Sequence, residues 1–313
     1  MFALRGIGMA LASFAALYCL FSFLVVWGWK WVNLLRDITF RFRSNLLFAS
    51  RIFPLAASSL IILAFVVPSF LELEPRSRDE DFGIFPLMLG FSALLLFAFG
   101  AFRVAIAQAR TARVVAGWFE GASALNAGAG APTFRTTSAV PPLTLVGVCN
   151  PRVLVSESTV AVLGQDELQI ALKHEMAHIR SWDNLKKLIF RFASFPGMAM
   201  LENAWSEAAE LAADDAAVAS FRDALDLASA LVKLSRLVPV APQHALSVGL
   251  LGSSVSVRTR ITRLLAWNGT SSNSIESHGV CALACVLAAC CLVAATYGPT
   301  LTLTHQITEW LVR

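Results

Sequence analysis

Residues 171–184 read ALKHEMAHIRSWDN and hold two of the five histidines in a chain of 313 residues. His174 and His178 are four apart, and Glu175 follows the first of them. On a helix, positions i and i+4 share a face, so both imidazoles can aim at one ion. Glu175 sits on an adjacent part of that face, within reach of a water on the same ion. A divalent zinc ion suits two imidazoles, and a carboxylate beside it can take a proton from that water. Asp166 and Glu167 stand in the first turn of the expected helix, where its dipole favours acids.

A catalytic zinc needs a third protein ligand and an open position. Downstream, SEAAELAADDAAV (206–218) offers Glu207, Glu210, Asp214 and Asp215 on helix-forming sequence. Glu210 and Asp214 are again four apart, so one can ligate while the other supports a ligand histidine. Glu202 and Glu207 compete for the third place. Upstream, PPLTLVGVCNPRVLVSES (141–158) reads as two short strands around an Asn-Pro turn. Before it, EGASALNAGAGAPT (120–133) reads as a small-residue linker without a packing pattern.

The surroundings are apolar. Hydrophobic residues make up 57% of the chain and charged ones 15%, against about 25% charged in an ordinary soluble domain. Four uncharged stretches are long enough to cross a bilayer as helices: Met9–Trp29, Phe53–Leu71, Ile84–Phe102 and Gly279–Thr300. The first is followed by KWVNLLRDITFRFR rather than a small-residue cleavage site, so it is expected to be retained as a span. The loop from Lys30 to Arg51 holds five basic residues, and ELEPRSRDED (72–81) holds two. That bias puts the first loop and residues 104–278 in the cytoplasm, with both termini outside. The expected division is three spans with loops in 1–103, a cytoplasmic catalytic domain in 104–278, a fourth span in 279–300 and a short external tail in 301–313. Within the domain, residues 185–205 are apolar but interrupted by Arg191 and Pro196-Gly197, which reads as a re-entrant or interfacial hairpin.

The net charge of +4 is spread out, without a basic run of the kind that binds nucleic acid. Cys19, Cys149, Cys281, Cys285, Cys290 and Cys291 form no CxxC pair and read as small packing residues. His244, His278 and His305 read as surface or interfacial. The only tyrosines, Tyr18 and Tyr297, fall in expected spans. Arg260 is therefore the candidate to help stabilise an oxyanion.

HEMAHIRSWD (174–183) followed by ELAADDAAV (210–218) resembles the BlaR/MecR-type membrane zinc metallopeptidases, the antirepressor peptidases of inducible β-lactam resistance. SNLLFASRIFPL, FLELEP and RITRLL extend the resemblance over most of the chain. It implies a multi-span α-helical membrane protein with a cytoplasmic, mostly helical α+β zinc-peptidase domain. It implies one zinc ion per chain on His174, His178 and Glu210, Glu175 as catalytic base, and supporting roles for Asp214 and Asp183. It also implies a bacterial plasma-membrane location and a BlaI/MecI-type repressor as protein substrate, with no direct contact to nucleic acid. Sensor members carry a penicillin-binding domain after the last span, whereas residues 301–313 hold no Ser-x-x-Lys motif, so a signal is expected by another route. An HtpX-like quality-control protease is the alternative enzyme. A signalling scaffold that keeps the zinc fold is the alternative outside enzymes, and an intact Glu175 speaks against it.

Overall fold

The structure is a computed structural model that describes residues 2–32, 38–75, 83–125, 130–137, 141–237, 257–269 and 296–310. It is mostly helical with one small sheet. The chain divides into two compact units: residues 1–34, 52–99 and 272–313 form the first, and residues 35–51 and 100–271 form the second.

Among the described residues, three helices are long and apolar enough to cross a membrane: Phe2–Trp29, Phe40–Leu73 and Ile84–Phe119. α1 is Phe2–Val32. The second span begins as α2 (Phe40–Ile61), widens into a π-turn (Ile62–Val66) and ends as α3 (Val67–Leu73). α4 is Ile84–Phe119. Many of the large side chains on these helices face outward, among them Leu4, Phe23, Trp27, Leu63, Phe85 and Phe99. Apolar groups turned out of a fold have lipid as their natural neighbour.

The irregular stretch of the second span has a local cause. Pro68 has no N–H for the carbonyl four residues back, that of Ala64. The chain passes through the π-turn here, and the Tyr297 hydroxyl donates to Ala64 O at 2.9 Å. Tyr297 lies on a helix of residues 296–310, α11. Residues 279–295 of the expected fourth span lie outside the described residues, and helix runs on past Thr300 through ten residues expected as tail. His244, His278 and Cys281, Cys285, Cys290 and Cys291 likewise lie outside the described residues.

The second unit opens with the start of α2. Arg41 and Arg43, expected in a loop, are helical. Arg51 is 2% exposed and donates to Glu202 Oε1 at 2.8 and 3.1 Å and to Phe190 O at 3.2 Å. β1 (Ser123–Ala124), β2 (Thr133–Thr136), β3 (Leu143–Val146) and β4 (Arg152–Ser156) form one sheet in the order β1-β2-β4-β3. β3 and β4 are the expected antiparallel pair, with Leu143 opposite Val155. β4 also pairs in parallel with β2, with Phe134 opposite Leu154, and β1 adds antiparallel to β2. The expected linker thus supplies β1 and the start of β2. Its small side chains give no alternation to read, and it joins the sheet through its backbone, as in Leu125 N–H to Thr133 O at 2.9 Å.

Six helices follow in the described part of this unit. Ser156 caps α5 (Glu157–Val162), its hydroxyl accepting from Thr159 N–H. α6 (Gln165–Arg180) starts where Glu167 Oε2 accepts from Gly164 N–H at 2.7 Å. α7 (Asp183–Phe192) and α8 (Ala199–Ala217) are joined through Gly197. α9 (Phe221–Ser235) opens on a reciprocal Ser220/Asp223 capping box. α10 is Val257–Leu265.

Ala171 and Leu172 of α6 pack on Leu143, Leu145, Val153 and Val155 of the sheet. Its other side, through Ile170, joins a core of Ala217, Leu227, Leu231, Leu234 and Leu264 from α8, α9 and α10. α6 is therefore held between the sheet and a helical layer. Residues 185–205, expected to dip into a membrane, form α7, a turn and the start of α8. Phe190, Met198, Leu201 and Trp205 there are buried, and the Phe190 and Trp205 rings meet edge-on at 5.0 Å. Gly100 of α4 lets Phe192 approach closely: a Cβ there would stand 2.5 Å from Phe192 O.

Candidate metal centre

His174 and His178 leave α6 on one face, as the i, i+4 spacing requires. Their Nε2 atoms are 3.1 Å apart. Glu210, from the middle of α8, brings Oε2 to 3.6 Å from His174 Nε2 and Oε1 to 3.7 Å from His178 Nε2. The three ligand atoms lie within 4.8 Å of one another and belong to buried residues. This group can hold a metal ion. Two imidazoles and one carboxylate are the donor set of many three-ligand zinc sites, in which the fourth position stays open.

The competitors for the third place stand elsewhere. Glu202 is paired with Arg51, and Glu207 is exposed. Ala213 and Ala217 are buried on α8 with Glu210 and Asp214, whereas Glu207, about one turn before Glu210, stands where the helix is exposed.

Each ligand histidine has its own carboxylate. His178 Nδ1 is 2.6 Å from Asp183 Oδ2. Asp183 can reach back because Trp182 adopts a left-handed backbone (φ 56°), uncommon outside glycine, and so turns the chain sharply between α6 and α7. His174 Nδ1 is 3.0 Å from Asp214 Oδ1, close but off the line of an N–H bond. Such carboxylates fix the tautomer and the ring angle of a ligand imidazole.

Arg260 completes the buried network. Its Nη2 and Nε donate to the two oxygens of Asp214 at 2.6 and 2.8 Å, and its Nη1 donates to Glu210 Oε2 at 3.0 Å. The sequence reading made Arg260 an oxyanion helper. In the structure its guanidinium is 0% exposed and committed to the two α8 carboxylates. Its role here is to neutralise and orient them.

The charges favour a cation between the histidines. Burial alone would push the His174 pKa down, but Asp214 and Glu210 outweigh it and hold the value at about 9. Burial would raise Glu210, yet His174, His178 and Arg260 hold it below the ordinary glutamate value. Asp214 is buried too, and Arg260 and His174 hold it well below the carboxylate range.

Glu175 differs from its neighbours. Burial dominates and raises its carboxyl to about 7, despite both histidines and Arg260 pulling the other way. It is 0% exposed, and neither carboxylate oxygen has a hydrogen-bond partner among the described residues. Two orphan oxygens at such depth are expensive unless something outside the chain meets them. A water on an ion held by the neighbouring triad fits that need.

Lys187 escaped the sequence reading. Burial lowers its pKa, while Glu210, Asp183 and Glu175 lie near enough to act against that. Its signal was weak: it stands four residues after Asp183 on α7, like any helical ion-pair partner.

A small cleft adjoins the centre, lined by Leu145, Gly147, Cys149, Trp182 and His178 among others. Gly147 turns the chain at the end of β3 with φ 94°, and its carbonyl accepts from Asn184 Nδ2 at 2.8 Å. The β3–β4 turn is thereby tied to the start of α7. β3 is the outermost strand on this side of the sheet among the described residues. No family model matches the chain, and no curated protein matches it.

Proposed function

We propose that the protein is a membrane-anchored zinc endopeptidase of the BlaR/MecR type that cleaves a cytoplasmic regulator of the BlaI/MecI repressor class. The observation that carries the reading is Glu175: a buried carboxylate with a pKa near 7 and two orphan oxygens beside a His-His-Glu group. A general base is most effective with a pKa near the working pH. A scaffold would have no use for such a group at this depth.

His174, His178 and Glu210 would hold the zinc ion. Bound zinc supplies Lewis-acid polarisation of water and of a peptide carbonyl. Glu175 takes the proton from the attacking water and hands it to the departing amine. Asp183 and Asp214 keep the imidazoles pointed inward, and Arg260 keeps Glu210 and Asp214 ionised. The outer edge of β3, beside the metal face of α6, offers backbone groups to an extended substrate. The scissile bond of a folded repressor must therefore lie in a segment that can extend.

The cytoplasmic placement of the second unit and the bacterial plasma membrane are part of the same proposal, supported by the three apolar helices and the basic bias of residues 30–51. Incubating the purified full chain with casein and with a DNA-binding repressor encoded beside it tests the reading. Expected is cleavage of the repressor at one site, loss of cleavage with a zinc chelator, and recovery on adding zinc. Cleavage of casein and unfolded membrane proteins with the repressor spared would favour an HtpX-like role. Cleavage of neither would leave a scaffold.

A further inference from the structure

His305 is expected from the sequence to be surface or interfacial. Glu309 stands four residues on, on the same face of α11. In the first unit, His305 Nε2 is 3.9 Å from Glu309 Oε1 and 3.9 Å from Glu74 Oε2, at the end of α3. The three groups lie within 4.8 Å of one another by their ligand atoms. Their side chains are 15%, 34% and 7% exposed respectively.

We propose that Glu74, His305 and Glu309 form a second site for a zinc-class divalent metal ion, separate from the centre on α6. Four observations carry it. First, 3.9 Å is too long for a hydrogen bond, so the ring nitrogen faces two carboxylates without bonding either. Ligand atoms around a tetrahedral zinc with bonds of about 2.1 Å stand roughly 3.4 Å apart, so each carboxylate would close on the ring nitrogen by about half an ångström. Second, His305 Nδ1 is buried with no hydrogen-bond partner among the described residues, where neither ring nitrogen then holds a hydrogen bond. An ion at Nε2 would fix a ring that is otherwise unanchored.

Third, Glu74 divides its oxygens. Oε1 accepts from Arg5 Nη2 at 3.1 Å, while Oε2 is the oxygen turned to His305. Glu74 is thus fixed by Arg5 through one oxygen and presents the other to the ring. Fourth, α11 is already seated beside the second span through Tyr297 and Ala64. The ion would make a second tie between the same elements, and Arg5 brings in the start of α1. An imidazole in the set favours zinc, copper or nickel over calcium or magnesium.

The site does not depend on the peptidase reading, and its test avoids activity. Full-length protein carrying His174→Ala and His178→Ala is stripped with chelator in detergent and equilibrated with zinc, and bound zinc is measured per chain. One ion per chain is expected. Adding Glu309→Gln, a change at a partly exposed position that should leave the fold intact, is expected to weaken binding at least about tenfold, as loss of a direct ligand should exceed loss of a supporting one. Adding His305→Ala is expected to abolish it, and excess calcium should not displace the ion. A double variant that binds no zinc, or a Glu309→Gln addition that binds as tightly as its parent, overturns the proposal.

Discussion

At the scale of single residues, the candidate metal centre separates groups that could touch an ion from groups that could aim them. His174, Glu175 and His178 were legible because a helix repeats every 3.6 residues and the motif sits inside one turn. Asp183 came with the resemblance and Asp214 with its spacing to Glu210, and the structure adds which histidine each one approaches. Arg260 was legible as a residue of the site but its partners were not, because sequence cannot say which neighbours a long side chain will choose. Its choice of Asp214 and Glu210 arises 46 and 50 residues away along the chain. Asp214→Asn tests the supporting role. The amide keeps the size but loses the charge that orients His174, so zinc affinity should fall about 10–100-fold with the fold retained. Equilibrium competition with a zinc-binding dye reads this, and unchanged affinity would remove Asp214 from the site.

At the scale of elements, α6 is fixed from both ends and both faces. Glu167 at its start accepts from Gly164 N–H, from Ser229 Oγ at 2.6 Å and from Lys233 Nζ at 2.7 Å on α9. Burial pushes the Glu167 pKa up, but these three partners together leave it below the ordinary 4.5. A carboxyl lowered in the folded state stabilises the fold above its unfolded pKa and loses that contribution as pH falls through the folded value. Glu167→Gln should therefore cost about 1 kcal/mol near neutral pH, a modest figure because Lys233 is partly exposed. The gap to the parent should close as pH drops below 4.5. Thermal unfolding in detergent across that range measures it; a gap independent of pH would mean the ionised carboxylate is not the stabilising form.

Other elements show what the sequence leaves out. The β3–β4 pair was readable from its β-branched runs, but β1 and β2 were not, since Ser123, Ala124 and the glycines nearby carry no alternating pattern. Arg41, Arg43 and Arg51 were counted as loop charges because hydropathy marks where apolar residues begin, not where a helix begins. Backbone hydrogen bonding carries α2 through them, and Arg51 is absorbed by Glu202.

At the scale of the whole molecule, the described residues include three membrane-length helices, and one of the two compact units carries the group that could hold a metal ion. The side of the membrane on which that unit lies decides which substrates it can meet. Reporter fusions after residues 45 and 150 should both report the cytoplasm, and fusions after 77 and 310 the outside; an external signal at 150 would rule out a cytoplasmic repressor. The central claim is that the intact protein hydrolyses peptide bonds with Glu175 as base. The most direct measurement compares cleavage by the full-length protein and its Glu175→Gln variant in lipid nanodiscs at matched zinc content. Glutamine keeps the size of glutamate but cannot accept the proton, so the rate should fall by about 10²–10⁴. A Glu175→Gln protein with normal zinc and parental cleavage would contradict the account and leave the buried metal centre a structural one.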